Sequence, residues 1–167
     1  MMGATLPLEE YKKKRDFRRT PEPERGESEE PAGIFVVQEH HASHLHYDFR
    51  LSLDGVLKSW AVPKGIPEVS KIRRLAVETE DHPIEYASFE GEIPKGQYGA
   101  GKVVIWDRGD FELVERSENK IIARLNGKRL SGVYVLVRFA GREKNDKNWL
   151  VMKTADSKGK KDVTRKI

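Results

Sequence analysis

The chain has 167 residues, 37% hydrophobic and 35% charged, which allows one domain with one core beneath a heavily charged surface. Its formal net charge of +4 and sequence pI of about 9.2 lean towards a polyanionic partner without deciding it. With no cysteine, disulfides and thiolate metal sites are excluded, and a reducing cytoplasmic setting is expected; no apolar run approaches the roughly 20 residues of a membrane span, and no signal-peptide core opens the chain.

Residues 1–30 form a polar, punctuated arm. A short helix is expected over 8–17, with Tyr11 and Phe17 inward. Thr20-Pro21-Glu22-Pro23 stops it, and 24–30 reads as loop. The folded body, 31–155, is a series of short β-rich runs: 34–38, 46–53, 56–62, 75–79, 86–89, 102–106, 111–115, 121–125, 132–139 and 148–153. Asp54-Gly55 is a hairpin signal between the second and third. Further turns are expected at Arg108-Gly109-Asp110, Asn126-Gly127 and Ala140-Gly141. The Gly-rich stretch 91–101 lacks the Gly-Lys-Ser/Thr ending of a phosphate-binding loop and reads as a wide turn. Many short strands at even spacing predict a mainly β fold, an antiparallel barrel or sandwich with short flanking helices. Trp60, Trp106 and Trp149 sit in strand-like runs, where core packing is the expected role. Residues 156–167 form a basic C-terminal tail, either a solvated end or a loose contact to nucleic acid.

The richest chemistry lies in 40–50, where four of the five histidines fall within seven residues. On a strand, alternation puts His44, His46, Asp48 and Arg50 on one face, with Leu45, Tyr47, Phe49 and Leu51 on the other. Imidazole and carboxylate together suit a divalent metal such as Mn or Zn, and a guanidinium suits a phosphate. His46 and Asp48 are close enough to share one ion. The third ligand is His44 by alternation, or His40 if the chain folds back beyond Ala42-Ser43. His82 ends a strand-like run, a place for a general acid or a phosphate ligand at a pocket rim. Lys64 and Arg74 are further basic candidates.

Several ordered stretches resemble the 3′-phosphoesterase module of bacterial DNA ligase D. They are His40 with His46-Tyr47-Asp48-Phe49-Arg50-Leu51, Leu57-Lys58-Ser59-Trp60-Ala61-Val62-Pro63-Lys64-Gly65, Arg74-Leu75-Ala76-Val77, and Glu80-Asp81-His82-Pro83-Ile84-Glu85-Tyr86. Phe89 to Pro94, Gly96 to Gly101, Trp106-Asp107-Arg108-Gly109 and Trp149 to Lys153 continue the likeness, and Tyr11, Arg15-Asp16-Phe17 and Thr20 to Pro23 extend it upstream. The resemblance implies a compact antiparallel β-barrel with a polar pocket and a divalent metal, typically Mn²⁺, with Zn²⁺ or Co²⁺ as alternatives. It implies an enzyme that removes a 3′-terminal ribonucleoside from a DNA end and then the remaining 3′-phosphate, leaving 3′-OH. It makes His40, His46 and Asp48 the metal ligands, and so His40 rather than His44. Arg50 and His82 become the phosphate-binding and catalytic pair, with Tyr86, Lys64, Arg74 and Gln38 as further pocket residues. Arg15, Asp16 and Glu22 become residues tied to ribonucleoside removal, which orders part of the arm over the site. The implied partners are DNA or RNA-tipped DNA 3′ ends and a separate ligase or polymerase of end joining, because the family's module usually sits in a longer protein carrying those activities.

Two other classes remain on the residues alone. His46-x-Asp48 with a distal His82 spells the facial triad of a non-haem Fe(II) oxygenase, but leaves His40 and Arg50 without a role. A non-catalytic nucleic-acid-binding barrel has little use for a dense His/Asp cluster.

Overall fold

The computed structural model describes residues 8–24, 33–139 and 147–155. The expected turn at Ala140-Gly141, the loop over 25–30 and the tail 156–167 lie outside these residues. The alternating runs become nine strands: β1 (Ile34–His41), β2 (Leu45–Leu53), β3 (Val56–Val62), β4 (Arg73–His82), β5 (Gly91–Ile93), β6 (Gly101–Ser117), β7 (Lys120–Gly127), β8 (Ser131–Arg138) and β9 (Asn148–Lys153). Neighbours run β1-β2-β3-β4-β9-β8-β7-β6, and β6 pairs back onto β1, closing an antiparallel barrel of eight strands. Closure removes the open edges that a sheet of this size would otherwise expose. The short β5 borders the first residues of β6, outside the ring. Two short helices flank the barrel, α1 (Glu9–Lys13) and a 3₁₀ helix at Ile84–Ser88. No helix among the described residues is long and apolar enough to cross a membrane.

Three local expectations are corrected. Residues 86–89 are not a strand but fall in and just after the 3₁₀ helix, where the Tyr86 N–H donates to Pro83 O at 2.9 Å and the Phe89 N–H to Tyr86 O at 3.0 Å. The aromatic residues that suggested a strand instead pack down on the barrel's outer wall. Arg108-Gly109-Asp110 is not a turn, for β6 runs unbroken through it. Gly109 is there for close approach: a Cβ at this position would come within 2.2 Å of Asn126 O on β7. The N-terminal helix stops at Lys13 rather than reaching residue 17, although Tyr11 is fully buried and Phe17 packs against the same cluster.

One apolar cluster draws residues from all eight ring strands, among them Phe35, Val37, Phe49, Leu51, Trp60, Ala76, Phe111, Ile121, Leu136 and Trp149. It fills the barrel. The alternate residues of β1 and β2 face outward, so Gln38, His40, His46, Asp48 and Arg50 stand on the outside of the wall. A second apolar cluster covers part of that outer surface: Val36, Leu57 and Val103 from the wall, under Leu8 and Tyr11 of the arm and Tyr86, Phe89 and Ile93 from the 3₁₀ region and β5. This layer leaves the polar strip of β1 and β2 in a recess rather than on an open surface.

The β7–β8 turn is pinned from β6. The buried Asp107 carboxylate accepts the backbone N–H groups of Lys128 at 2.9 Å, Arg129 at 3.0 Å and Leu130 at 2.8 Å. Removing it strands the buried Leu130 donor and leaves the part-buried Lys128 and Arg129 donors without this acceptor, and a stranded buried donor costs about 1–3 kcal/mol. Asp107→Ala is therefore expected to lower unfolding free energy by about 3 kcal/mol, read from urea denaturation midpoints at constant m.

Candidate active site and metal centre

A cavity of about 300 Å³ lies over the outer face of β1–β4. Its lining includes His40 from β1, His46, Asp48 and Arg50 from β2, Thr79, Glu80 and His82 from β4, and Arg15 and Glu22 from the arm. Tyr86 of the 3₁₀ helix and Tyr98-Gly99 of the Gly-rich loop complete its rim.

Strand register separates His40 from His44. β1 extends to His41 and β2 begins at Leu45, so His40 pairs directly across from His46. His44 lies in the connecting bend, exposed, and contributes its backbone carbonyl. His40, His46 and Asp48 are the group of three His, Cys, Asp or Glu among the described residues that could hold a metal, their ligand atoms all within 4.8 Å of one another. His82 is not in that group, which removes the facial-triad arrangement.

Outer contacts select the ring nitrogens. His40 Nε2 lies 2.7 Å from Gly99 O and His46 Nδ1 lies 3.1 Å from His44 O. A carbonyl only accepts, so each of these nitrogens donates. The free positions are then Nδ1 of His40 and Nε2 of His46, which lie 3.4 Å and 3.3 Å from the two Asp48 oxygens. Lone pairs facing a carboxylate call for a proton or a cation between them. Two oriented imidazoles, a buried carboxylate and carbonyl outer partners are the donor set of a divalent metal. Gly99 sits at φ +77°, a left-handed backbone that brings its carbonyl to His40 without strain. Burial alone would raise the Asp48 carboxyl, but Arg50 and the two histidines hold it well below the usual carboxylate range.

Arg50 is only 3% exposed. Its Nε donates to Gln38 Oε1 at 2.7 Å, its Nη1 to Ser59 Oγ at 3.0 Å, and its Nη2 lies 3.5 Å from Asp48. The guanidinium stacks 4.8 Å above the Tyr86 ring. Gln38 in turn donates to Tyr86 O and Phe89 O at 2.8 and 3.1 Å, tying the 3₁₀ region to the wall. His82 Nδ1 lies 3.0 Å from Glu80 O and 3.3 Å from Arg50 Nη1, and its Nε2 lies 3.5 Å from Arg15 Nη2. Burial, then Arg50 and Arg15, push the His82 pKa well below its ordinary value. It is neutral at neutral pH.

The arm closes the cavity from above. Arg15 pairs with Glu22 at 3.0 Å and with Glu80 at 3.4 Å, and stacks 4.0 Å from the Tyr11 ring. The Tyr86 hydroxyl donates to Glu22 at 2.6 Å. The Tyr11 hydroxyl donates to Pro23 O.

Other candidates from the sequence fall elsewhere. Gln38 stands behind Arg50 rather than in the cavity. Arg74 Nη1 donates to the carbonyls of Lys64 and Gly65, and neither Lys64 nor Arg74 lines the cavity. Asp16 is bound to Arg18 on the surface. Sequence reasoning passed over Glu80, although it is two residues before His82 on one strand and alternation alone puts it on the same face. It also passed over Tyr11, Ser59 and Tyr98, which carry no charge to mark them.

Residues 38–138 match the model of the DNA ligase D 3′-phosphoesterase domain. The chain belongs to this family. It is 46% identical over 167 residues to the multifunctional non-homologous end joining protein LigD of Pseudomonas aeruginosa, an alignment covering 95% of this chain and 20% of that protein. It is 45% identical over 162 residues to the multifunctional non-homologous end joining DNA repair protein LigD of Mycobacterium tuberculosis, covering 92% and 20%. The LigD of Mycolicibacterium smegmatis is 46% identical over 164 residues, covering 90% and 21%. The chain thus spans about a fifth of the length of these relatives. For a 3′-phosphoesterase domain, the outer wall of the barrel brings together a metal-type donor set, two guanidinium groups and a neutral histidine.

The depressed His82 pKa has a consequence for stability. The unfolded chain binds a proton on this side chain near pH 6.5, while the folded protein resists it. Its stabilising contribution is therefore full above about pH 6.5 and lost as the pH falls below that. The groups facing the ring are Arg15, Arg50, Tyr11, Tyr86 and the Glu80 carbonyl. In metal-free protein, His82→Asn is expected to flatten the fall of the urea midpoint between pH 7 and pH 5. An unchanged slope would show that His82 titrates normally.

Proposed function

We propose that this chain is a metal-dependent 3′-end-healing phosphoesterase. In this reading it removes a 3′-terminal ribonucleoside from a DNA end by phosphodiester hydrolysis, then the 3′-phosphate by phosphomonoester hydrolysis, leaving 3′-OH. Membership of the 3′-phosphoesterase domain family supports a hydrolase acting on nucleic-acid 3′ ends. The observation that carries the finer reading is the meeting of a His40–His46–Asp48 donor set with Arg50, Arg15 and neutral His82 in one recess.

His40 Nδ1, His46 Nε2 and an Asp48 oxygen would hold the cation, for which Mn²⁺ is the proposed choice and Zn²⁺ or Co²⁺ alternatives. When bound it supplies Lewis-acid charge at a phosphoryl oxygen and lowers the pKa of a bound water. The side chains do the rest. Arg50 and Arg15 bind the non-bridging oxygens and stabilise the charge they gather in the transition state. Because His82 is held neutral, its first move is to accept a proton; passing that proton to the leaving oxygen completes the exchange. Tyr86 supports both halves, through its ring beneath Arg50 and its hydroxyl on Glu22. Gln38 positions Arg50. Arg15 and Glu22 place the arm over the diester, with Asp16 bracing its exposed end. Lys64 and Arg74, outside the cavity, are suited to the nucleic-acid strand beyond the phosphate. The proposed partners are DNA or RNA-tipped 3′ ends and the ligase and polymerase activities of end joining.

The test is incubation with Mn²⁺ and a DNA primer bearing one 3′-terminal ribonucleotide, beside the matching 3′-phosphate primer. Loss of the ribonucleoside and then of the phosphate is expected. If neither primer changes, the proposal fails and a non-catalytic binder remains. Calorimetric titration with Mn²⁺ checks the ligand set separately. His40→Ala, His46→Ala and Asp48→Ala should each weaken binding at least tenfold, and His44→Ala less than twofold because its carbonyl remains. Binding lost in His44→Ala but kept in His40→Ala would overturn the assignment.

A further inference from the structure

We propose that Tyr98 is the stacking platform for the base of the 3′-terminal nucleoside, and so the residue that favours a nucleoside-capped end over a bare one. This rests on the diesterase reading of the cavity. Tyr98 is 48% exposed, yet it lines the cavity. The other aromatic residue in the lining, Tyr86, is buried beneath Arg50. Apart from Ile93, two alanines and the imidazole rings, the remaining lining side chains are polar or charged and not aromatic, so Tyr98 is the exposed phenol ring that the cavity offers a purine or pyrimidine, beside Lys14 and Arg15.

Its position suits the outgoing nucleoside. Tyr98 adjoins Gly99, whose carbonyl holds His40 at 2.7 Å. On its other side, its ring centroid is 5.2 Å from the Arg15 guanidinium carbon. A phosphate held between the metal donors and Arg15 therefore lies within one nucleoside of this ring. Lys14 Nζ, 3.3 Å from the Tyr98 hydroxyl and 4.7 Å from its ring centre, bridges arm and loop. In this proposal the terminal nucleoside lies against Tyr98 beside that bridge, and the polymer leaves by another side. The loop's turns, with the Gln97 N–H on Pro94 O and the Ala100 N–H on Gln97 O, both at 3.1 Å, hold the backbone that carries the ring.

The reaction itself is unchanged by this residue. Water oxygen bonds to phosphorus, the phosphorus bond to the nucleoside oxygen breaks, and that oxygen leaves with a proton. Tyr98 acts by binding one leaving group and not another.

The experiment compares two Mn²⁺-activated substrates, a primer ending in a ribonucleotide and the same primer ending in an abasic ribose. Each is measured for kcat/KM with wild type, Tyr98→Phe, Tyr98→Ala and Tyr98→Leu. Base–aromatic stacking corresponds to roughly a 5- to 100-fold preference for the base-bearing end. Wild type and Tyr98→Phe should show that preference, and Tyr98→Ala and Tyr98→Leu should bring it near unity. A 2-aminopurine at the terminal position should be quenched on binding to the aromatic forms and not to the others. Preference that survives in Tyr98→Ala, or that is missing from wild type, overturns the platform while leaving the diesterase intact. Wild type that shortens neither primer overturns both.

Discussion

A guanidinium held out of water on the outside of a barrel is the constraint around which this site is built. Removing Arg50 from solvent without partners would cost several kcal/mol. The wall and its cover supply them: Gln38 from β1, Asp48 on its own strand, Ser59 from β3 and the face of Tyr86. Each of these has a second attachment. Gln38 bonds the carbonyls of Tyr86 and Phe89, Asp48 faces His40 and His46, Ser59 donates to Leu57 O, and Tyr86 donates to Glu22. Satisfying one buried cation therefore fixes the 3₁₀ helix, the metal-type donor set and the arm at once. It also leaves His82 uncharged beside two guanidinium groups.

The arm is part of the site for the same reason. Its helix of five residues is too short to be stable alone. What holds it is Tyr11 in the outer apolar cluster, and Arg15 between Glu22 and Glu80. That pairing is almost wholly buried, so losing one member would leave an uncompensated charge rather than a neutral gap. The arm can leave the wall only by exposing Tyr11 and separating these charges together. Access to the cavity is thereby coupled to Arg15, which lines it.

How much of this could be read from residues alone follows from the range of the forces involved. Alternation in 46–53 is local, and it correctly separated Phe49 and Leu51 from Asp48 and Arg50. Many short, turn-bounded runs pointed to an antiparallel barrel or sandwich, and the family resemblance pointed to the barrel. The choice between His40 and His44 depends on where a bend ends and which residues pair across two strands, and alternation along one strand carries no such information. Family resemblance pointed to His40, and the register sets that residue across from His46. Gly109 looked like a turn because a glycine that permits close approach and one that permits a left-handed turn are the same letter. Tyr86 and Phe89 looked like a strand because aromatic enrichment marks half-buried surface of any kind. Lys64 and Arg74 carry charge but not distance, and the fold sets them beside the cavity rather than in it.

Charge balance adds an argument for a cation that does not depend on ligand geometry. Two guanidinium groups in the cavity, Arg15 and Arg50, and the Lys14 ammonium paired with Glu80 at 3.1 Å balance three carboxylates, Glu22, Asp48 and Glu80. Such a recess has no surplus positive charge to draw a phosphate, and in a low-dielectric setting any added charge weighs more than it would in water. A divalent cation on Asp48 would make the balance positive. The carboxylates of Glu22 and Glu80 are already engaged by Arg15, Tyr86 and Lys14. A site arranged in this way would bind anion and metal as a coupled pair, with each strengthening the other by the same factor.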